Sequence, residues 1–363
     1  MNKDFPIWLK GTTILFGVIL LFVVLSYGKF ILMPLAFAAL IAMLLDPISS
    51  WLQQYKFNRV LAILTSIILI TVILGGIMSL LSIQVIQFVD RLPEANAKIQ
   101  TLSSDLIQFF ESTFNLSPDR QIQFLERGLE TAINKSGKYV STVLGATTSI
   151  FTTIGLLPFF VFFMMYYKKM YRTFLHTAVD GNNDAIDSVI DGVQTVTQNY
   201  IVGMITVITI LGILNAIGLW IVGIDHVLFF AAFAAILAII PYIGIILGSL
   251  PAIIFALLFT DSLLNPIGVV AVFAVVQFLE GNFITPNVIG SQVSINPFMA
   301  LIALVIGGQL WGISGMILFV PLLGILKCVF DQVEALKPYG YLLGNRAHYE
   351  AVETAAKGAD TGD

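Results

Sequence analysis

Apolar runs that approach or exceed the length of a bilayer crossing recur along this chain, and they constrain its fold before any motif is considered. Residues 12–27, 30–45, 60–81, 149–167, 200–220 and 267–284 are dominated by aliphatic and aromatic side chains. About 30 Å of hydrocarbon demands roughly 18 to 20 such residues in a helix. Of the 363 residues, 58% are hydrophobic and only 11% are charged, whereas ordinary soluble domains carry about 25% charge. So few charges cannot clothe a water-soluble surface, and the bilayer is therefore part of the solvent. The expected class is an all-α polytopic membrane protein.

The remaining composition excludes several functions. A net charge of −4 without a long basic run offers no footprint for the phosphates of nucleic acid. Cys328 is the only cysteine, which rules out an intrachain disulfide and a thiolate metal site. His176, His226 and His348 are scattered without ligand spacing, so neither a metal nor another cofactor is expected. No HExxH, GxSxG or P-loop pattern occurs, and an enzyme is not expected. Lys3 and Lys10 precede the first apolar run, but its length and the lack of a small-residue cleavage site predict an uncleaved first helix rather than a signal peptide.

Charge between the runs predicts the topology. Only Gly28 and Lys29 separate the first two runs, which predicts a tight helical hairpin. Residues 46–59 read as a polar connection carrying Lys56 and Arg59, with Trp51 and Tyr55 at the interface; by the positive-inside tendency it is cytoplasmic. Membrane helices thus fill residues 1–82. Charges of both signs then mark 83–145 as a helical extramembrane insertion. Within it, Leu102, Leu106, Phe109 and Phe110, then Ile122, Leu125, Leu129 and Ile133, repeat at helical spacing, and Ser117 with Pro118 forms a helix start. That face packs on itself, a neighbour or the membrane, or it recruits a partner.

Residues 146–337 read as the core. Lys168, Lys169 and Arg172 follow the fourth run directly and predict a cytoplasmic end; their charge also suits anionic lipid headgroups. Residues 183–193 form a short amphipathic helix with Asp184, Asp187 and Asp191 on a solvated face. Tyr200 and Trp220 bracket the fifth span, and 338–363 is a polar cytoplasmic tail.

Two segments do not behave as simple spans. Residues 228–258 are apolar for too long for one upright helix and are interrupted at Pro241, Tyr242, Ile243 and Gly244, where proline removes a donor and clashes with the preceding turn. Residues 297–327 are interrupted across Gly307, Gly308, Gln309, Leu310, Trp311 and Gly312. Each half is too short to cross, which predicts two re-entrant hairpins, and parity makes them enter from opposite faces, as in inverted repeats around a transport site. Irregular backbone at membrane depth must be buried in protein or line a wet cavity. Gly244 with Gly248, and Gly308 with Gly312, also fit close helix packing without any transport role.

Glu280 stands near the inner end of the run 267–284, with Gln277 one turn earlier and Asn282 close by. A carboxyl within a span faces a pathway or bundle interior; one at the span's end sits among headgroups or caps a helix. Thr285, Asn287, Gln292, Ser294 and Asn296, with Pro286, Gly290 and Pro297, read as a polar linker. Thr206, Thr209 and Asn215 contribute to the cavity or make interhelical hydrogen bonds.

The strings PYIGIILGSLPA at 241–252, QFLEGNFITPNVIG at 277–290 and VSINPFMALIALVIGGQLWGISGMILFVPLLGILK at 293–327 closely resemble the AI-2E family of transporters, once called the PerM family. The resemblance extends over nearly the whole chain in element order. It implies a bacterial cytoplasmic-membrane protein with both termini inside and a homo-oligomeric, pentameric assembly. It further implies export of the signal autoinducer-2 or of a similar small polar solute, or else exchange of sodium for protons with Glu280 titrating. A scaffold acting through residues 83–145 is the reading from another class.

Overall fold

The computed structural model describes residues 6–91, 104, 156–178, 183–240, 243–260, 262, 264–290 and 295–344. Pro241 and Tyr242, Gln292 and Ser294, nearly all of the insertion, and the tail beyond residue 344 lie outside the described residues. The helices are α1 (Ile7–Tyr27), α2 (Lys29–Gln54), α3 (Arg59–Arg91), α4 (Leu157–Tyr166), α5 (Lys168–Ala178) and α6 (Asn183–Val222). They continue as α7 (Val227–Leu237), α8 (Ile243–Phe259), α9 (Leu264–Leu279), α10 (Pro297–Trp311), α11 (Ile313–Gln332) and α12 (Lys337–Leu343). Among the described residues the only β-type pairing is one bridge between Ile295 and Gly344. The all-α expectation holds.

Among the described residues, six helices are long and apolar enough to cross a membrane: Trp8–Tyr27, Lys29–Gln54, Arg59–Gln84, Asn183–Val222, Leu264–Val288 and Ile313–Gln332. Five correspond to predicted spans. The sixth, α11, was read from sequence as half of a re-entrant hairpin, but its 20 residues rise about 30 Å at 1.5 Å per residue, enough for a crossing. The predicted run 149–167 is described only from residue 156 onward.

Helix boundaries differ from expectation in three further places. First, α2 continues through Asp46 and Pro47 to Gln54 instead of giving way to a polar connection. The Asp46 carboxylate can stay helical because it accepts hydrogen bonds from Lys168 Nζ at 2.7 Å and Gln194 Nε2 at 2.9 Å. The turn is shorter, and Asn58 Oδ1 starts α3 by accepting from the amides of Val60 and Leu61. Second, the amphipathic segment and the fifth span are one helix, α6, of 40 residues. No Pro interrupts it, and Thr195 and Thr197 return their hydroxyls to the carbonyls of Asp191 and Val193 at 2.8 Å. Third, residues 280–284 and 286–290 are π-helical turns that prolong α9, so Thr285, Pro286 and Asn287 do not form an extended linker.

The described residues group into two compact units. The first comprises Met1–Ile68, Thr153–Thr206 and Ile284–Asp363; the second comprises Leu69–Thr152 and Val207–Phe283. In the first, α2 packs on α4, and α10 folds back on α11 as an antiparallel hairpin. Trp311 Nε1 donates to the carbonyl of Leu25 at 2.8 Å, tying that hairpin to α1. Lys327 is buried within α11 and paired with Asp331 one turn on. Asn296 caps α10, its Oδ1 accepting from the Phe298 amide at 3.0 Å ahead of Pro297 at the first helical position. Asn296→Ala is expected to lower stability by about 0.5–2 kcal/mol, read as an earlier thermal unfolding midpoint in detergent.

In the second unit, the core joins α6, α7, α8 and α9 through Leu219, Phe230, Ala234, Phe255, Val269 and Phe273. The Phe230 and Phe255 rings lie 5.2 Å apart and clamp the two limbs of the α7–α8 hairpin. Gly223 and His226 both take positive φ, at 80° and 56°, and turn the chain sharply from α6 into α7.

Candidate functional site

The second unit holds polar groups that an apolar bundle would otherwise avoid. On α6, Leu211, Asn215 and Leu219 recur every fourth residue and all are buried, Asn215 to 4% exposure. Gly212, three residues before it, packs toward Ala235 of α7, and Gly218, three residues after it, against Val272 of α9. Asn215 is thus on the inward stripe between those two helices. Its Oδ1 is shielded from solvent and has no hydrogen-bond partner among the described residues. Leaving an acceptor in that state costs about 1–3 kcal/mol, which an ordinary packing position would not retain.

Glu280 marks the point where α9 changes from α- to π-helical winding. Such bulges shift backbone hydrogen bonds by one residue and occur often at functional sites. Gln277 Nε2 donates to Glu280 Oε2 at 2.8 Å, and both side chains are partly buried. The sequence expectation that these two share a face is met. Asn282, expected beside them, is exposed and turns its Nδ2 back to the carbonyl of Phe278. Asn287 is likewise exposed, one winding further on.

The glycines act chiefly in packing. A Cβ on Gly244 would run into the carbonyl of Leu237, and one on Gly248 would lie 2.6 Å from Ala234 Cα, so both are where α8 meets the backbone of α7. In the other hairpin the close approach is between Gly307 and Gly315, each occupying the space in front of the other's carbonyl. It is not between Gly308 and Gly312, which sequence spacing suggested. Gly308 faces the flexible end of Met316, and Gln309 is exposed. Gly312 alone forms the break, at φ 62° and ψ −141°, a conformation essentially reserved for glycine. Of the predicted site residues, Asn215, Gly244, Gly248, Gln277, Glu280 and Asn282 fall in the second unit, and Asn287, Gly307, Gly308, Gln309 and Gly312 in the first.

Sequence reading missed a polar junction in the first unit. Lys168 Nζ bridges Asp46 and Gln194 Oε1, while Gln194 also donates to Asp46, so α2, α5 and α6 meet at three side chains. One turn along α5, Arg172 Nε and His176 Nε2 both contact Asp187 Oδ1 at 2.7 Å. The bond to Asp187 raises the pKa of Arg172 above its ordinary value and keeps it charged. A cavity of about 520 Å³ adjoins this junction, walled by apolar side chains such as Ala42, Met43, Met165, Ile190 and Val193. Asp46, a lone carboxylate in an otherwise apolar run, was the available signal. Among the described residues no cluster of His, Cys, Asp and Glu suits a metal ion.

A family model described as AI-2E family transporter matches residues 14–335. The chain belongs to the AI-2E transporter family. Several relatives are similar in sequence at low identity. YrrI of Bacillus subtilis (strain 168), provisionally named as a transport protein, is 29% identical over 314 residues, covering 82% of this chain and 85% of that protein. YhhT of Escherichia coli (strain K12), named in the same way, is 23% identical over 319 residues, covering 86% and 88%. The AI-2 transport protein TqsA of Escherichia coli (strain K12) is 24% identical over 343 residues, covering 93% and 97%. As an AI-2E family transporter, the chain has every candidate residue discussed above inside the matched span. The expectation drawn from its last third is met at the level of the family.

Proposed function

We propose that this transporter exports autoinducer-2 or a similar small polar solute, with the buried face of α6 and the Gln277–Glu280 pair of α9 contacting it. The observation that carries this reading is Asn215 Oδ1, which has no hydrogen-bond partner among the described residues and sits in a side chain at 4% exposure. A solute hydroxyl or amine entering the second unit would satisfy that acceptor. The winding change at Glu280 supplies a second polar position on a neighbouring span. Similarity to the AI-2 transport protein TqsA supports the choice of solute. The α7–α8 hairpin, with limbs of 11 and 17 residues, is proposed to be re-entrant, since neither limb reaches the roughly 20 residues of a full crossing. The same reading assigns the protein to the bacterial cytoplasmic membrane, with both termini inside, as a homopentamer whose 83–145 insertion stays outside the bilayer.

The test is flux in liposomes containing the purified full chain, with autoinducer-2 in one arm and a sodium gradient with a pH-sensitive dye in the other. Saturable autoinducer-2 flux without sodium-driven proton movement is the expected result; the reverse pattern would replace export by cation/proton exchange. Glu280→Gln is expected to lower solute flux about five- to tenfold, because hydrogen bonds to a charged group exceed neutral ones by roughly 1 kcal/mol. Unchanged flux in that variant would remove Glu280 from the path.

A further inference from the structure

The cavity in the first unit has the chemistry of an amphiphile site rather than of a polar-solute site. Its walls come from α2, α4, α5 and α6 and join an apolar surface, which includes Ala42, Met165, Ile190 and Val193, to the polar side chains of Asp46, Lys168, Tyr171, Arg172 and Gln194. At about 520 Å³ it falls within the roughly 300–1,000 Å³ of ordinary ligand pockets. A small polar solute could be answered by the polar side chains but would leave its other hydrogen-bonding groups unmet against Ala42, Met165 and Val193. An acyl chain meets no such penalty.

The same cavity is also lined by Lys168, Tyr171 and Arg172 of α5. These follow directly on the apolar α4, where a membrane interface is expected. Lys168 and Arg172 are partly exposed, at 43% and 41%. Lys168 gives two of its three N–H donors to Asp46 and Gln194, which leaves the third to reach a ligand. Arg172 uses Nε on Asp187, and its nearer terminal nitrogen stands 3.9 Å from Asp191. A guanidinium has five N–H donors in a planar fork suited to phosphate, so Asp187 fixes one edge of Arg172 and leaves the other able to bind. The carboxylates of Asp46 and Asp187 are already taken up by the cations beside them, which moderates their repulsion of an anion.

We propose that this cavity binds a phospholipid, its acyl chain against α2, α4 and α6 and its anionic phosphate headgroup on Arg172 and Lys168. Bound there, the lipid bridges four helices of the first unit and stabilises their packing. Lys169, adjacent in sequence and equally charged, does not line the cavity, which provides an internal control.

The experiment uses the full chain in a neutral detergent, with thermal unfolding and native mass spectrometry as readouts. Phosphatidylglycerol, phosphatidylcholine, diacylglycerol and inorganic phosphate are added separately. Phosphatidylglycerol is expected to raise the unfolding temperature saturably and to bind at least tenfold more tightly than diacylglycerol, with inorganic phosphate inert. Arg172→Gln is expected to weaken phosphatidylglycerol about tenfold, Lys169→Gln by less than twofold, and Ala42→Phe to abolish binding by filling the cavity. Equal binding of phosphatidylglycerol and diacylglycerol would overturn the headgroup assignment, as would equal weakening by Arg172→Gln and Lys169→Gln. Should Ala42→Phe fail to fold, Ile190→Phe fills the same space from α6. Wild-type affinity in a folded cavity-filling variant would overturn the site.

Discussion

Gly315→Ala is expected to cost more than about 3 kcal/mol and to open the α10–α11 hairpin, beyond the typical 1–3 kcal/mol of overpacking. The new methyl would fall on the carbonyl carbon and oxygen of Gly307, with Trp311 Cβ only 3.0 Å away. Backbone atoms cannot swing aside as a side-chain terminus does, so the two helices must separate. Separation would also pull on the Trp311 bond to Leu25 that ties the hairpin to α1. Denaturation in mixed micelles, followed by Trp311 fluorescence and circular dichroism, measures the effect. Gly308→Ala is the matched control, because its methyl would meet only the mobile end of Met316. Gly75→Ala, whose added methyl meets nothing within 4 Å, should instead be neutral or stabilising by up to about 1 kcal/mol through helix propensity. A Gly315→Ala protein within 1 kcal/mol of wild type would show that the hairpin is not closed by this contact.

The contrast between Gly308 and Gly315 also shows where sequence reading ran out. Apolar length and the scarcity of charge made the helical, multi-pass fold legible, because a bilayer permits few alternatives. The hairpin at Gly312 was legible too, since a glycine-rich interruption of a long apolar run must be relieved by a turn. Which glycines touch was not, because contact across a hairpin depends on where the turn falls: placing it at Gly312 alone pairs Gly307 with Gly315. The same cause hid the polar junction. Asp46 suggested a loop when considered alone, and only the fold brings Lys168 and Gln194 to it from 122 and 148 residues away. Gln277 and Glu280, three residues apart, could be paired from spacing. The winding change that follows them could not, since π-turns carry no strong local residue signature. Family membership was legible in the motifs of the last third, which include the Gly244–Gly248 packing surface and the Gly312 turn.

Asn215→Leu is expected to move stability and transport in opposite directions. Leucine keeps the branching at Cγ and removes the buried acceptor, so the folded state should gain up to the roughly 1–3 kcal/mol that an unsatisfied polar atom costs, less the overpacking cost of its larger side chain. It also completes an aliphatic stripe with Leu211 and Leu219. If the solute supplies the missing donor, that gain comes with at least a tenfold loss of flux, the size expected when a site built to hydrogen-bond its ligand loses the partner. Denaturant titration and liposome flux on the same preparation give both quantities. A fall in both would mean that Asn215 serves a structural bond; a rise in stability with unchanged flux would place the solute elsewhere. The Glu280→Gln result then becomes decisive in combination. If Asn215 and Glu280 contact one solute, the double variant should lose less than the product of the two single effects, because neighbouring contacts on a shared ligand are not additive. Losses that multiply would assign the two residues to separate steps of the transport cycle.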